Sequence, residues 1–271
     1  MSDLVNKTNE FLKSDSLVSK IIFLFIALIV FILCIKFAVN IISNYKHEDS
    51  PILINGMIDA KNQIVIPQNP NTKDAITLAR SNNQQNGIEF TWSVWIFIDN
   101  LEYLQGKYKN VFYKGYENTT STTNAPGLYI AETKNELIVI MNTFTTIQEK
   151  IIIPNIPLNK WLNVIIRCEN NILDVYINGV IIKSIELSSV PKQNFGDIFV
   201  AANGGFAGYI SNLVYYDRAL GTLEISDITT TGPNTYMVGY NGLQNTSNKY
   251  FSTRWYFYGN QDAYNPGPDA I

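Results

Sequence analysis

The chain has 271 residues, a net charge of -3 at neutral pH, one histidine and two cysteines. This balance lacks the clustered Lys and Arg that nucleic-acid binding requires, so no nucleic-acid partner is expected. Because His47 is the only histidine, a catalytic triad or a zinc site would lack its usual parts. Cys34 lies in an apolar run and Cys168 in a predicted strand, so we expect no intramolecular disulfide and favour folding in a reducing compartment.

The first predicted element is a membrane-spanning helix over residues 21–43, which follows a short polar head at 1–20. From Ile21 to Ile42 the chain is apolar except for Lys36 and Asn40, and at about 1.5 Å per residue this run is long enough to cross a bilayer. A cleaved signal peptide is the competing interpretation. It is disfavoured because a long segment precedes the run and no small-x-small cleavage site follows it.

The lysines that flank this run favour one orientation. Lys7, Lys13 and Lys20 precede it, whereas Lys36 and Lys46 lie near its end or beyond it. Cytoplasmic flanks carry more Lys and Arg. We therefore expect the C-terminal part of the chain to be non-cytosolic, or in a topologically equivalent place.

After this run ~220 residues remain, which suffices for one all-β domain with its own core. The pattern predicts a juxtamembrane linker and first strands over 44–87, a β-sandwich over 88–230 and a tail rich in Asn, Gly and Tyr over 231–271. In the linker region, Ile52–Ile54 and Gln63–Ile66 are predicted to pair as a hairpin.

The next strand is predicted from strict alternation. Its buried face comprises Phe90, Trp92, Val94, Ile96 and Ile98. Trp95 and Phe97 lie on the opposite face, so both faces are expected to be covered. Trp92 is interpreted as a core residue, as are Trp161 and Tyr176, in preference to direct stacking on a ligand.

Hairpins follow in the middle of the chain. Residues 128–132 and 137–141 are predicted to pair, and so are Ile172–Ile177 and Val180–Leu187. The latter two are joined by Asn178-Gly179, which favours a type I′ turn because both positions tolerate positive φ.

The segment from Gly208 to Ile225 combines a strand, a turn at Asp217-Arg218 and a closing segment. Ile210 cannot share a face with Leu213 and Tyr215 unless one extra residue is inserted. We therefore predict a β-bulge at Ser211-Asn212.

Three of these motifs, in this order, resemble the laminin-G-like domains of the concanavalin A-like lectin/glucanase superfamily. They are Phe-Thr-x-x-x-Trp from Phe90, Trp-x-x-Val from Trp161 with its Asn-Gly hairpin, and the segment from Gly208. The resemblance covers roughly 90–225. It implies an antiparallel jelly-roll β-sandwich, which many short strands with frequent turn residues also favour.

The resemblance also indicates which catalytic residues an enzyme of this superfamily would need. Glucanases of the superfamily carry Glu-x-Asp-x-x-Glu or a close variant, which places two carboxylates on one face, and this sequence has no such run. Glu132 and Glu136 flank a predicted turn, so a catalytic pair is not expected.

Several relatives bind calcium through loops at a sheet edge. Here Asp99, Asn100 and Glu102 form the calcium candidate, with a solvated turn as the alternative.

The tail contains a dense aromatic block from Tyr250 to Tyr258. It is expected to pack on the sandwich or to meet a partner, because such a block is too apolar to be simply solvated.

Three functions follow as hypotheses. The first is a single-pass membrane protein that displays a non-enzymatic, lectin-like domain for binding glycans or protein partners. The second is a structural virion component that links a membrane to a capsid shell, since the chain is similar to proteins encoded by large DNA viruses of algae and protists. The third is a glycoside hydrolase. Fold alone does not decide among them.

Overall fold

The computed structural model describes residues 17–45, 51–84, 87–116 and 123–238. The chain divides into two compact units, the first ending at Glu48 and the second beginning at Asp49. His47 and the aromatic block of the tail lie outside the described residues.

The first unit contains helix α1 (Leu17–Tyr45), which includes the predicted span 21–43. Every side chain from position 24 to position 38 is exposed. The helix therefore presents large apolar side chains on all of its faces, among them Leu24, Phe25, Leu28, Phe31 and Phe37. Side chains at 18–19, 22–23 and 39–45 are not described. Within the described residues, no helix combines the length and hydropathy that crossing a membrane requires.

The second unit is built from two antiparallel sheets, and its described residues form thirteen strands. Sheet A has the order β1-β13-β4-β9-β10-β11, with β3 also paired to β4. Its strands are β1 (Ile52–Asp59), β3 (Asn82–Gln84), β4 (Gly87–Ile98), β9 (Trp161–Asn170), β10 (Ile172–Ile177), β11 (Val180–Glu186) and β13 (Gly208–Tyr216).

Sheet B has the order β2-β12-β5-β6-β7-β8. Its strands are β2 (Ile64–Ile66), β5 (Lys109–Gly115), β6 (Gly127–Ile130), β7 (Glu136–Met141), β8 (Glu149–Pro154) and β12 (Asp197–Val200). The predicted all-β antiparallel sandwich is thus confirmed, and its architecture fits a jelly roll.

The main core lies between the sheets, because alternate residues of each strand point inward. The face of β4 predicted to be buried is buried in full, and Trp92 is 1% exposed. Its ring stacks on Phe112 of sheet B at 5.2 Å and contacts Tyr215 at 4.9 Å. Trp161 and Tyr176 are only partly buried. Trp161 packs on Phe97, and Tyr176 packs near helix α2 (Thr222–Thr231).

The predicted hairpin between Ile52–Ile54 and Gln63–Ile66 is wrong. Strand β1 pairs with β13 in sheet A, and β2 pairs with β12 in sheet B. The turn at Asp59–Asn62 therefore carries the chain from one sheet to the other. Each short strand finds a distant partner because the two inward faces can then bury their apolar side chains in one core.

The predicted bulge in β13 is confirmed. Ser211 lies opposite Trp95 and Val214 lies opposite Ser93, so two residues of β13 face one residue of β4. Asn212 takes the extra position with φ of 45°. As a result Ile210, Leu213 and Tyr215 all reach the main core.

The Asn178-Gly179 turn is also as predicted, with φ of 49° and 80° at the two positions. It joins β10 to β11. We expect Gly179→Ala to lower the free energy of unfolding by about 1 kcal/mol, because an L side chain disfavours this left-handed conformation. Urea denaturation would measure the change.

Gly179→Asn is the matched control for that variant, because asparagine adopts the left-handed conformation at lower cost than alanine. The control should therefore lose less stability than Gly179→Ala. Equal losses in both variants would contradict the assignment of strain to Gly179.

The outer face of sheet A carries a buried ionic cluster beneath the segment that leads into α2. Arg167 donates to Asp174 Oδ2 at 2.9 Å, to Glu169 and to the carbonyl of Leu220 at 2.9 Å. The second oxygen of Asp174 accepts from Ser184 Oγ at 2.6 Å. This cluster fixes the closing segment of the fold to the sheet.

The far edge of sheet A is completed by a segment near the C-terminus. Met57 donates to the carbonyl of Tyr236 at 2.7 Å and accepts from the amide of Val238 at 2.8 Å. Gly56 permits this approach because its φ is 116° and an added Cβ would lie 2.7 Å from the carbonyl oxygen of Tyr236. Strand β1 is therefore paired on both sides over this stretch.

Candidate functional site

A cavity of about 380 Å³ lies at one end of the sandwich. Its walls come from the first residues of β4, the last residues of β5 and β7, and two loops that precede β3 and β12. Small-molecule sites usually fall in the range of ~300–1,000 Å³. The volume of this cavity lies within that range, so this end of the sandwich is the candidate site.

The floor of the cavity is apolar. It is formed by buried core residues of both sheets, namely Phe90, Trp92, Ala125, Met141 and Tyr215. Burial raises the pKa of the Tyr215 phenol well above its usual value, and nearby Asp217 adds to that shift. Tyr215 is therefore neutral across the physiological range and serves the floor as an aromatic surface.

Hydrogen bonds brace the two loops that form the rim. Gln68 donates its side-chain amide to the carbonyl of Ile76 at 2.8 Å, and its backbone N–H donates to Asp197 Oδ1 at 2.8 Å. Gln193 donates to Ser81 and so links one loop to the other. Because these bonds hold both loops to the sheets, the cavity is preformed.

The charge around the cavity is mainly positive. Arg80, Lys114 and Lys192 line it, with Asp197 as the carboxylate among its lining residues. Lys114 Nζ donates to the carbonyl of Gly196 at 2.8 Å. Burial lowers the pKa of Lys114 to about 8, and Asp197 opposes that shift only in part. This ammonium is therefore held in a site that disfavours its charge.

The predicted calcium residues lie elsewhere. Asp99, Asn100 and Glu102 follow the far end of β4, nine residues beyond Phe90, which is roughly 30 Å along a strand. All three are exposed, and Asn100 Oδ1 accepts from the backbone N–H of Tyr103 at 3.2 Å. The described residues contain no group of three or more His, Cys, Asp or Glu side chains that could hold a metal ion.

The carboxylates considered for catalysis lie at a turn. Glu132 is exposed, and Glu136 Oε1 lies 4.0 Å from Lys134 Nζ. Neither lines the cavity. The thiol of Cys168 is buried, and burial raises its pKa to about 12, so it is a poor nucleophile.

Most residues of the cavity rim were missed by the sequence reasoning. Residues 68–81 and residues 192–196 carry no motif in the sequence that predicts a binding site. The contact of Gln193 with Ser81 spans 112 positions. The available signal was the aromatic start of β4, where Phe90 and Trp92 head the buried face.

Comparison with known proteins extends this picture. The family model described as the concanavalin A-like lectin/glucanases superfamily matches residues 70–226, which is more than half of the chain. No curated protein sequence is significantly similar to the chain.

Among solved structures, the binding domain of botulinum neurotoxin serotype G is 16% identical with a TM-score of 0.45, and the match covers 67% of this chain and 46% of that one. The receptor binding domain of botulinum neurotoxin D is 16% identical with a TM-score of 0.43, covering 63% and 48%. The chain thus spans about half the length of these structures, and the likeness carries no argument about function. On the family match and its two antiparallel sheets, the chain belongs to the concanavalin A-like lectin/glucanases superfamily.

Proposed function

We propose that this protein is a non-enzymatic, lectin-like binding protein and that the cavity at the end of the sandwich receives its ligand. The observation that carries the proposal is the cavity itself, with an apolar floor, polar rim loops and a volume of about 380 Å³. A few polar groups around an apolar floor are typical of sites that bind small molecules or single sugar units. Glycans are the first ligand class, and protein partners are the second.

A glycan array probed with the full-length protein in a non-ionic detergent tests this function. We expect specific, saturable binding that is lost in Ala79→Trp, because Ala79 is exposed and lines the cavity. Thr133→Trp is the matched control, since Thr133 is exposed in the turn between β6 and β7. Binding that is equal in both variants would place the ligand elsewhere, and no binding would favour a protein partner.

Absence of catalysis is part of the proposal. The described residues place Glu132 and Glu136 at a turn outside the cavity, and retaining hydrolysis would need two carboxyl groups about 5 Å apart on one face. Incubation with β-glucans should release no reducing ends above the rate of buffer alone. Release that depends on Glu132 or Glu136 would support the glycoside hydrolase alternative.

Calcium binding by Asp99, Asn100 and Glu102 remains a proposal of its own. The array should therefore be run once with calcium and once with a chelator. Loss of binding in the chelator, reproduced by Asp99→Ala, would assign a role to this loop. Unchanged binding would favour the solvated turn.

We further propose that helix α1 anchors the protein in a bilayer, with the C-terminal part non-cytosolic. The described helices do not reach the length and hydropathy of a membrane span, so the proposal rests on the exposure of the apolar side chains of α1. The exposed apolar side chains on all faces of α1 support this proposal, because a helix that is apolar all round is normally covered by protein or by lipid. Alkaline extraction of membranes should leave the protein in the pellet. Release into the supernatant would refute the anchor.

A structural role in a virion, joining a membrane to a capsid shell, is the alternative. The same exposed surface of α1 favours it. Cross-linking that captures a capsid protein, with a negative glycan array, would support this role over glycan binding.

A further inference from the structure

The cavity concentrates positive charge in a protein whose net charge is -3. Arg80, Lys114 and Lys192 all line it, whereas Asp197 is the acidic residue among its described lining. The oxygen Oδ1 of Asp197 is already engaged by the backbone N–H of Gln68 at 2.8 Å. No ion pair among the described residues involves any of the three cations.

Each cation keeps donors for a ligand. Lys114 Nζ donates to the carbonyl of Gly196, and an ammonium has three N–H groups. Lys192 Nζ lies 5.4 Å from the centroid of the exposed Phe144 ring, which is not part of the cavity lining, so Lys192 adds positive charge beside the cavity without being neutralised. Arg80 is exposed at the rim and presents a planar fork of donors.

Lys114 adds a second observation that points to an anion. Burial disfavours its charged form, and Asp197 compensates only in part. Lys192 and Arg80 have the same sign, and Tyr215 across the cavity is neutral. A negative group placed in the cavity would therefore relieve an unfavourable charge already present in the fold.

We propose that the cavity binds an acidic saccharide, whose carboxylate or sulfate group contacts Lys114 while Lys192 and Arg80 add positive charge around it. This inference rests on the proposed glycan-binding function and adds the chemical class of the ligand. Carboxylate and sulfate share the required chemistry, because both are anions that accept several hydrogen bonds.

The test compares matched charged and neutral polymers on the full-length protein in a non-ionic detergent at constant salt. Dextran sulfate is paired with dextran, and polygalacturonate is paired with galactan. Binding to at least one charged polymer should be tenfold or more tighter than to its neutral partner. If the protein binds only dextran sulfate in this way, the ligand group is sulfate. If it binds only polygalacturonate in this way, the ligand group is carboxylate.

Two variants separate a site from general attraction between charges. Lys114→Met and Lys192→Met should each weaken binding about tenfold or more, because each removes a positive charge and hydrogen-bond donors that an anion would use. Lys134→Met is the control, because its side chain is 75% exposed in the turn between β6 and β7. It changes the net charge equally and should bind as the original does.

The pH dependence gives an independent readout. Lys114 is protonated below a pKa of about 8, so affinity for the acidic polymer should be highest near pH 7. The affinity for the acidic polymer should fall about tenfold by pH 9.5. A bound anion raises the pKa of Lys114, so the affinity falls at a higher pH than the pKa of the free protein would give. Lys114→Met should remove this pH dependence.

The outcomes distinguish the two proposals. Neutral and charged polymers bound equally, without dependence on Lys114 or Lys192, would overturn the acidic class and leave glycan binding standing. Charged polymers bound equally by all three variants would indicate attraction outside the cavity and would also overturn the inference. Binding to neither class would overturn the acidic class, and a negative glycan array beside it would overturn the proposed glycan-binding function itself.

Discussion

Replacing Asp174 by alanine is expected to destabilise the sandwich by about 1.5–3 kcal/mol, because Arg167 loses its buried ionic partner and keeps only the half-exposed Glu169 and the carbonyl of Leu220. The Asp174 side chain is 8% exposed and that of Arg167 is 16% exposed. Asp174 also accepts from Ser184 at 2.6 Å. Urea denaturation followed by far-UV circular dichroism would measure the loss.

Glu169→Ala is the matched control for this prediction. Glu169 contacts the same guanidinium, but its side chain is 47% exposed, and solvent-exposed ion pairs contribute ~0–1 kcal/mol. The control should therefore cost less than about 1 kcal/mol. Equal losses in the two variants would show that burial does not decide the strength of these pairs.

Trp92→Ala is the second large effect, with an expected loss of about 3–5 kcal/mol, as found when a large aromatic side chain is removed from a core. Trp92 joins the sheets, because it lies on β4 and its ring stacks on Phe112 of sheet B at 5.2 Å. The substitution would also extend the cavity into the core. Thermal unfolding monitored by circular dichroism would report the change.

Trp161→Ala tests whether position, not residue type, sets that effect. Trp161 is only partly buried and contacts Phe97 at a centroid distance of 5.6 Å. We expect Trp161→Ala to lower the free energy of unfolding by roughly 1–2 kcal/mol, because it removes one aromatic pair and a partly buried side chain. A loss as large as that of Trp92→Ala would contradict the description of Trp92 as the residue that joins the two sheets.

Local patterns in the sequence predicted the central strands well. The alternation from Phe90 to Ile98, the Asn178-Gly179 turn and the bulge at Ser211-Asn212 are each specified within a few residues, by period or by backbone preference. The structure confirms all three. Such features need no knowledge of distant parts of the chain.

Pairings between distant segments were not predictable in the same way. Ile52–Ile54 and Gln63–Ile66 are separated by a short turn, and proximity favours a hairpin. Their partners, β13 and β12, lie more than a hundred positions away. A strand pattern shows which face is buried but does not identify the neighbouring strand. Strand β8 (Glu149–Pro154) was also missed.

The candidate site was the least predictable part. Its cations come from a loop, a strand end and a second loop, at positions 80, 114 and 192. Each is an ordinary surface residue in the sequence, and only the closing of the two sheets brings them together. The calcium candidate from Asp99 to Glu102 was chosen because oxygen-bearing side chains are close together in the sequence. Closeness in the sequence does not show which side chains from distant segments meet in the folded protein.

Because β1 pairs with residues 236–238, a fragment that folds as the sandwich by itself must contain both segments. The matched family region begins at residue 70 and ends at residue 226, so a fragment cut to it would lack β1, β2 and residues 236–238. Strand β13, with its three tyrosines, would then become a bare sheet edge. Long apolar edges recruit other chains, so such a fragment would aggregate, whereas one that retains residues 51–238 keeps this edge covered.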